Sequence, residues 1–206
     1  MIGVAFFIAI LFLVFIILMK IYQNDIVGYI GEKHTAKIVR KVVDGNVFTN
    51  IYVNGSYGAQ QIDIIAVTPK GILVIEKKTY VGLIVGRERD KQWRVYTRYG
   101  QNYYLTKNPH HQNFGHIRAL QENFPTMKNK CLDVVIFGNN AKLGDGVPAG
   151  TFRDADFPYA YNSLPDILTP QQISEYSMAI QGLENYRSAN KMLHKMKIDE
   201  IKNRGW

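Results

Sequence analysis

The chain has 206 residues, with 25 Lys and Arg against 17 Asp and Glu, and a formal net charge of +8. Hydrophobic residues make up 47% and charged residues 20%, which suits one folded domain with a short extension and excludes an intrinsically disordered chain. Cys131 is the only cysteine, so a fold held by intrachain disulfides is also excluded.

The first residues form a separate, strongly apolar segment. Residues 1–19 carry no charged or polar side chain, so all of the excess charge lies in the remainder of the chain. At about 1.5 Å per residue, such a helix spans roughly 28 Å, close to the roughly 30 Å hydrocarbon core of a bilayer. The segment lacks the basic start and the small-residue cleavage site of a signal peptide. We therefore expect residues 1–20 to form a transmembrane anchor.

The basic residues near this segment predict its orientation. No Lys or Arg precedes it, whereas several follow within about twenty residues or just beyond. They are Lys20, Lys33, Lys37, Arg40 and Lys41. Such residues favour the cytoplasmic side of a span. The sequence thus predicts a single-pass protein of the cell membrane with a cytoplasmic C-terminal domain, a compartment that also suits an unpaired cysteine.

After the apolar segment, the pattern predicts a helix followed by strands. In residues 26–43, apolar side chains recur at four-residue spacing, which is typical of an amphipathic helix. Three extended stretches follow at 46–53, 61–67 and 72–79, and Pro69-Lys70-Gly71 joins the last two as a tight turn. We therefore expect these last two strands to form an antiparallel hairpin.

Further elements complete a core that we place at residues 26–138. They are strands at 82–87 and 92–98, a helix from Asn108-Pro109 to about Asn123, and a strand at 132–137. A helix, three strands, a helix and a strand in this order predict an α/β sandwich with a mixed sheet. Residues 139–206 are predicted as a C-terminal extension, with a loop, a short strand at 157–160 and two helices, the last at about 187–203.

Two carboxylates and a lysine are predicted to meet on this hairpin. Side chains alternate along a strand, so Glu76 and Lys78 share one face and Lys77 points to the other. The turn pairs residues whose numbers add up to about 139 or 140, which brings Asp63 opposite Glu76.

Asp63 also interrupts an apolar strand, where an unpaired carboxylate is costly. Two opposed carboxylates repel each other, and a divalent metal with oxygen ligands, such as Mg²⁺, is the natural positive partner. Lys78 on the same face is expected to orient a water, with a pKa lowered by its neighbourhood.

These residues resemble the signature of a known superfamily. Asp63, followed after twelve residues by Glu76-Lys77-Lys78, is similar to the D-x(n)-E-x-K signature of the PD-(D/E)XK nucleases. Over about residues 28–137, the flanking segments resemble the nuclease-related domain family, NERD. The resembling segments are Gly28 to Glu32, Gln61-Ile62-Asp63, Gly71 to Lys78, Gly82, Gly86, Trp93, Asn108-Pro109, Gln112 and His116.

The resemblance implies a restriction-endonuclease-like αβββαβ core and a role for each matching residue. Asp63 and Glu76 would bind Mg²⁺, or Mn²⁺ in its place. Lys78 would position or activate the hydrolytic water. Glu32 would complete the carboxylate cluster as a further catalytic residue, and Gln112 would contact the substrate backbone or the catalytic lysine.

The small hairpin adds a basic surface, with Trp93 expected to pack inside. Its basic residues are Arg87, Arg89, Lys91, Arg94 and Arg98. We expect this surface to follow the phosphates of a nucleic acid. Anionic lipid competes for basic charge, above all at the C-terminal helix. His110, His111 and His116 lack a further ligand at zinc spacing, so they are interpreted as substrate contacts or an exposed helix end.

Two functions fit these patterns. The first is a membrane-anchored, Mg²⁺-dependent nuclease that hydrolyses phosphodiester bonds in DNA, with RNA left open as a substrate. The alternative is a non-catalytic module that keeps the fold and the basic surface and tethers nucleic acid or a partner to the membrane. The presence of Asp63, Glu76 and Lys78 together favours the enzyme.

Overall fold

A computed structural model describes residues 2–56, 58–97, 100–185 and 187–203. Its elements are, in chain order, α1 (Ile2–Val42), β1 (Asn46–Gly55), β2 (Gly58–Thr68), β3 (Gly71–Lys78), β4 (Gly82–Val85), β5 (Gln92–Tyr96), β6 (Tyr103–Lys107), α2 (Pro109–Asn123), a 3₁₀ turn (Pro125–Met127), β7 (Cys131–Phe137), β8 (Ala141–Leu143), β9 (Thr151–Arg153), α3 (Phe157–Asn162), α4 (Pro170–Asn185) and α5 (Arg187–Asn203).

The first helix is continuous, whereas the sequence predicted an anchor and a separate helix at 26–43. No proline interrupts α1, so the backbone hydrogen bonding runs through both predicted segments. Among the side chains that the structure describes, no helix offers an apolar stretch long enough to cross a membrane. Within the predicted anchor at residues 1–20, the side chains of 1–6, 9 and 18–20 lie outside the described part. The anchor therefore stays a prediction.

A mixed central sheet carries the candidate site. Its strand order is β1-β2-β3-β7-β9, with β1, β2 and β3 antiparallel and β3, β7 and β9 parallel. The predicted hairpin register is confirmed, because Ile64 pairs with Ile75 and Thr68 pairs with Gly71. Continued by one residue, this register sets Asp63 opposite Glu76.

Helices cover both faces of the central sheet. On one face, Val39 of α1 and Phe157 of α3 pack against Leu73 and Ile75 of β3. On the other face, Leu120 of α2 and Ile180 of α4 belong to the cluster that contains the alternate β3 side chains. Seven consecutive residues of β3 are buried, as expected for a strand covered on both sides. The predicted α/β sandwich with a mixed sheet is thus confirmed.

A second sheet, with strand order β6-β5-β4-β8, flanks the first. The sequence did not predict β6 or β8, which are short edge strands with few buried side chains. Trp93 of β5 is fully buried and stacks on Phe137 of β7, with ring centroids 6.4 Å apart. A Cβ at Gly86 would overlap the Trp93 ring, so a glycine is needed at this close approach. Trp93 therefore packs the two sheets together, as predicted.

The C-terminal extension differs from the prediction in three elements, because β8 and β9 were not predicted and the one predicted strand is a helix. The strand predicted at 157–160 is wrong, because these residues form the helix α3. Pro158 lies in the first turn of α3, where its missing N–H leaves no hydrogen bond unmade. The aromatic residues around it suggested a strand because they have high β propensity. The predicted helices after Pro170 are confirmed as α4 and α5.

Candidate active site

Asp63 and Glu76 face each other from neighbouring strands. Asp63 Oδ2 accepts a hydrogen bond from the backbone N–H of Lys77 over 2.9 Å. Glu76 is buried, and its Oε1 lies 2.7 Å from Lys78 Nζ. The predicted placement of Glu76 and Lys78 on one face of β3 is therefore confirmed.

α1 brings a third carboxylate, Glu32, to this pair. The helix approaches β3 closely at Gly31, where a Cβ would overlap the methyl group of Thr79. Burial raises the pKa of Glu32 to about 7; the charge of Asp63 adds to the rise and that of Lys78 opposes it. Three carboxylates from α1, β2 and β3 thus lie within electrostatic reach of one another.

The pKa values of the two strand carboxylates are raised as well. Burial raises the pKa of Glu76 to about 8, and the charge of Asp63 adds to the rise while Lys78 opposes it. Burial also raises the pKa of Asp63, against the hydrogen bond from Lys77 and the charge of Lys78. Carboxylates with raised pKa values hold protons at a pH where isolated carboxylates are ionised. The single ammonium group of Lys78 is therefore too little positive charge to keep all three carboxylates ionised at neutral pH.

Lys78 is held between two elements of the site. Its Nζ contacts Glu76 and donates a hydrogen bond to Gln112 Oε1 of α2 over 3.0 Å. Burial lowers the pKa of Lys78, but the charges of Glu76 and Asp63 and the hydrogen bond to Glu76 outweigh it, and the pKa is raised overall. The predicted lowering is therefore wrong, because the sequence did not show how closely the carboxylates surround the ammonium group. The roles of Lys78 and Gln112 stay predictions.

The hydrogen bonding of the carboxylates shows whether they could hold a metal ion. Glu76 Oε2 is buried and has no hydrogen-bond partner among the described residues. A buried oxygen without a partner is costly, and a cation would satisfy it. In the described part of the chain, no three His, Cys, Asp or Glu side chains form a metal-binding cluster. The residues therefore fit a cation held by two carboxylates, with water at its other positions, as is common for Mg²⁺.

The adjacent Lys77 points to the opposite face of β3 and forms a buried ion pair. Its Nζ lies 2.8 Å from Asp154 Oδ2, and the two side chains are only 2% and 4% exposed. Thr35 of α1 donates a hydrogen bond to Asp154 Oδ1 over 2.6 Å. Burial lowers the pKa of Lys77, and the hydrogen bond and charge of Asp154 oppose that shift. The network joins β3, α1 and the residue after β9, and so fixes the helix that carries Glu32.

The predicted nucleic-acid residues of the small hairpin lie in two places. Three of them are exposed at the hairpin tip: Arg87, Arg89 and Lys91. Arg94 lies on the exposed face of β5, with its guanidinium 5.6 Å from the centre of the Tyr103 ring. Arg98 lies outside the described residues. The basic charge is therefore available to solvent at both places.

Asn108 fixes the hairpin tip to the start of α2. Its side-chain amide donates hydrogen bonds to the carbonyls of Glu88 and Asp90, over 3.0 and 2.8 Å. Its Oδ1 accepts from the backbone N–H of His110 and so caps the helix. The tip and Gln112, one turn into α2, are thereby held in one rigid arrangement.

We expect Asn108→Ala to lower the free energy of unfolding by about 1–3 kcal/mol, because it removes a helix cap and the donor to the part-buried carbonyls of Glu88 and Asp90. Urea unfolding followed by circular dichroism measures this. Asn108→Ser keeps a cap acceptor and should fall between the parent and Asn108→Ala. Equal stability of all three proteins would contradict the proposed role of Asn108.

The first two histidines of α2 are not equivalent. His110 is buried, with Nδ1 2.7 Å from Asp133 Oδ2 and Nε2 2.8 Å from Thr151 Oγ1. His111 is exposed and lies 2.9 Å from the carbonyl of Glu88. The interpretation as a substrate contact or an exposed helix end is therefore wrong for His110, whose ring ties α2 to β7 and β9.

His116, which the sequence interpreted as a substrate contact or an exposed helix end, is a buried neighbour of the site. It is 2% exposed, and its Nδ1 lies 3.5 Å from Glu76 Oε2, so it too departs from an exposed helix end. Its four-residue spacing from Gln112 places both side chains on one face of α2. That spacing is the signal that points to His116, once the face of α2 that meets β3 is known.

Glu32→Gln should stabilise the metal-free protein at high pH and not at low pH. A carboxyl with a raised pKa contributes stability below its unfolded pKa and loses it as pH rises through the folded value, here about 7. After allowance for solvent screening, we expect about 1 kcal/mol, or a Tm about 2–4 °C above the parent at pH 8.5, and no difference at pH 5. Thermal unfolding in EDTA measures this.

Mg²⁺ should reduce the Tm difference between Glu32→Gln and the parent at pH 8.5, because a bound cation stabilises the ionised carboxylates of the parent. Thermal unfolding at pH 8.5 with increasing Mg²⁺ provides the comparison. A Tm difference that is the same at pH 5 and pH 8.5 would show that Glu32 does not belong to a charge-deficient cluster.

Comparison with known proteins agrees with this geometry. The family model described as nuclease-related domain matches residues 27–138, more than half of the chain. An uncharacterized protein of Bacillus anthracis is 33% identical over 101 residues, which make up 46% of this chain and 45% of that protein. The chain thus matches less than half the length of this relative. No solved structure matches the chain.

The family match includes the elements that carry the four clustered residues: Glu32, Asp63, Glu76 and Lys78. It extends from α1 through the small hairpin and α2 to β7 and so takes in both sides of the site. The chain therefore belongs to the nuclease-related domain family, within the PD-(D/E)XK-like nuclease group.

Proposed function

We propose that this protein is a Mg²⁺-dependent nuclease that hydrolyses phosphodiester bonds in DNA. The observation that carries the proposal is the convergence of three buried or half-buried carboxylates on one lysine, with Glu76 Oε2 left without a hydrogen bond among the described residues. Such a charge imbalance costs folding energy and is typical of functional sites. The Lys77–Asp154 pair nearby has matched charges, as a structural pair does.

The residues of the site have distinct parts in this reaction. Asp63 and Glu76 would hold the cation, which when bound would polarise the scissile phosphate and lower the pKa of a water. Lys78 keeps its proton, so its ammonium group is suited to orient the attacking water and offset phosphate charge rather than to abstract a proton. Glu32, with a pKa of about 7, is suited to accept a proton near neutral pH.

The hairpin tip supports binding of the substrate backbone. Arg87, Arg89 and Lys91 are exposed, and Asn108 fixes the tip to the helix that carries Gln112. Basic side chains that contact phosphates release counterions, which makes binding strong at low salt and independent of sequence. We therefore expect the tip to hold DNA near Lys78.

A cleavage assay tests the proposal. The full chain, in a mild non-ionic detergent, is incubated with supercoiled, linear and single-stranded DNA in Mg²⁺, in Mn²⁺ or in EDTA. We expect cleavage with either metal and none in EDTA. No cleavage of any DNA would contradict the proposal, and salt-sensitive binding without cleavage would instead support the tethering module. Cleavage of RNA alone would assign a different substrate.

We also propose that the N-terminal segment anchors the protein in the cell membrane, with the folded domain in the cytoplasm. Residues 1–19 carry no charged side chain, and the described ones, such as Phe7, Phe12 and Phe15, are exposed rather than packed on the domain. α1 continues without a break, so Glu32 lies about 20 Å along the helix from Met19.

Fractionation of cells that express the full chain tests the anchor. The protein should sediment with membranes and be released by detergent but not by carbonate or high salt. A version without residues 2–19 provides the control and should lose this behaviour. Release of the full chain by carbonate would contradict the anchor, and protease protection of the domain inside sealed cells reports its side of the membrane.

A further inference from the structure

A cleft of about 510 Å³ opens beside the carboxylate cluster, between α1 and the β1–β2 pair. Glu32 and Asp63 are among the residues that line it. Its volume lies within the range of about 300–1,000 Å³ that is usual for small-ligand sites, so it is large enough for a nucleotide. The cleft therefore offers a place for the part of a substrate that adjoins the reacting phosphate.

One wall of the cleft carries exposed basic side chains. Lys33, Lys37 and Arg40 follow one another at four- and three-residue spacing, which places them on one face of α1. Among the described residues, no carboxylate forms an ion pair with any of the three. Basic side chains in a row without acidic partners are suited to successive phosphates of a nucleic-acid backbone. The adjacent Lys41 does not line the cleft.

The opposite wall is polar and held in place. Asn50 of β1 has a positive φ of 55°, which asparagine tolerates better than most residues, and it lines the same cleft as Asp63 of the neighbouring strand. Gln61 donates a hydrogen bond to Asn50 Oδ1 over 2.9 Å, and Tyr52 donates one to Gln61 over 3.0 Å. The amide of Asn50 is therefore fixed at the wall of the cleft, next to the proposed metal ligand.

An exposed aromatic ring, that of Tyr29, lines the cleft as well. Tyr29 is 52% exposed, and Lys33 Nζ lies 4.4 Å from the centre of its ring. Proteins that bind single strands combine a basic groove with exposed aromatic rings, because every unpaired base offers a face for stacking. In a duplex the base faces are already stacked inside the helix, so Tyr29 favours an unpaired strand.

We propose that this cleft binds an unpaired nucleic-acid strand beside the scissile phosphate, with its phosphates along Lys33, Lys37 and Arg40 and a base against Tyr29. The inference rests on the proposed nuclease function and narrows it to single strands, or to duplex ends that open. The hairpin tip then contacts the strand from the other side of the carboxylate cluster.

Fluorescence anisotropy with a labelled 12-nucleotide DNA strand, and with the same strand paired in a duplex, tests the cleft. The full chain in detergent carries Lys78→Met, which preserves the carboxylates, and the buffer contains Mg²⁺. We expect the strand to bind at least about tenfold more tightly than the duplex. Tyr29→Ala should weaken strand binding about fivefold or more, the amount that one stacked base contributes.

A triple variant isolates the basic wall. Lys33→Gln, Lys37→Gln and Arg40→Gln together should weaken strand binding about tenfold or more and reduce the slope of log affinity against log salt by about 2. The matched control is Lys41→Gln, Lys128→Gln and Lys142→Gln, three exposed lysines outside the cleft. The control should bind within about twofold of its parent.

Several outcomes would overturn the inference. These are equal affinity for strand and duplex, equal binding by the triple variant and its control, or a triple variant that loses only its binding to vesicles containing anionic lipid. If the protein with its natural Lys78 cleaves DNA alongside any of these results, the proposed nuclease function stands and only the proposed role of the cleft fails. If that protein cleaves nothing while the cleft variants still lose strand binding, only the proposed nuclease function fails.

Discussion

Lys78→Met should lower the rate constant of Mg²⁺-dependent DNA cleavage by about 10²–10⁴-fold. The methionine has a similar length but no charge, so the site loses the group that orients the attacking water and offsets the charge that develops on the phosphate. Asp63 and Glu76 remain, so the Mg²⁺ concentration at half-maximal rate should change much less than the rate constant does.

Single-turnover kinetics with a labelled strand and increasing Mg²⁺ separates the two effects. Lys128→Met is the control, because Lys128 is exposed and outside the site. A Lys78→Met protein that cleaves within a few-fold of the control would contradict the catalytic role of Lys78. A rate that returns fully at high Mg²⁺ would show that Lys78 helps only to hold the metal.

Lys77→Met should act on stability instead, with a loss of about 3–5 kcal/mol in the free energy of unfolding. The substitution leaves the buried carboxylate of Asp154 without its cation, and among the described residues only the side chain of Thr35 continues to donate to it. Urea unfolding followed by circular dichroism measures the loss. We thus expect different effects from the two neighbouring lysines of β3: substitution of Lys78 lowers the cleavage rate, and substitution of Lys77 lowers the stability of the fold.

A double variant separates charge from packing in this prediction. Lys77→Met with Asp154→Asn removes both charges and keeps an oxygen for Thr35, so it should recover more than half of the lost stability. Lys77→Met alone with parent-like stability would contradict the account. A double variant as unstable as the single one would show that the lost packing of the Lys77 side chain, rather than the unpaired charge, causes the effect.

The hairpin geometry of the site was predictable because local rules determine it. The turn at Pro69-Lys70-Gly71 sets the register, and the register sets Asp63 opposite Glu76. Strand alternation then separates Lys77 from Lys78, and the structure places them on opposite faces. These inferences need only a few consecutive residues, so they do not depend on distant parts of the chain.

The features that were missed depend on distant contacts. Asp154, the partner of Lys77, follows β9 in a loop-rich segment, and no spacing rule links residues 77 residues apart. The raised pKa of Lys78 depends on the balance between its burial and the surrounding charges of Glu76 and Asp63, which strand alternation does not give. The helix α3 replaced a predicted strand because packing on α1 and β3 overrides the β propensity of its aromatic residues.

The most direct test of the central claim is the cleavage rate of Asp63→Asn compared with the parent in saturating Mg²⁺, with the Tm of both proteins measured in EDTA. The account predicts that the parent cleaves DNA and that Asp63→Asn loses at least about a hundredfold in rate while its Tm stays equal or rises, because the substitution removes one charge from a crowded carboxylate cluster. Equal cleavage by the two proteins would contradict a catalytic site at Asp63.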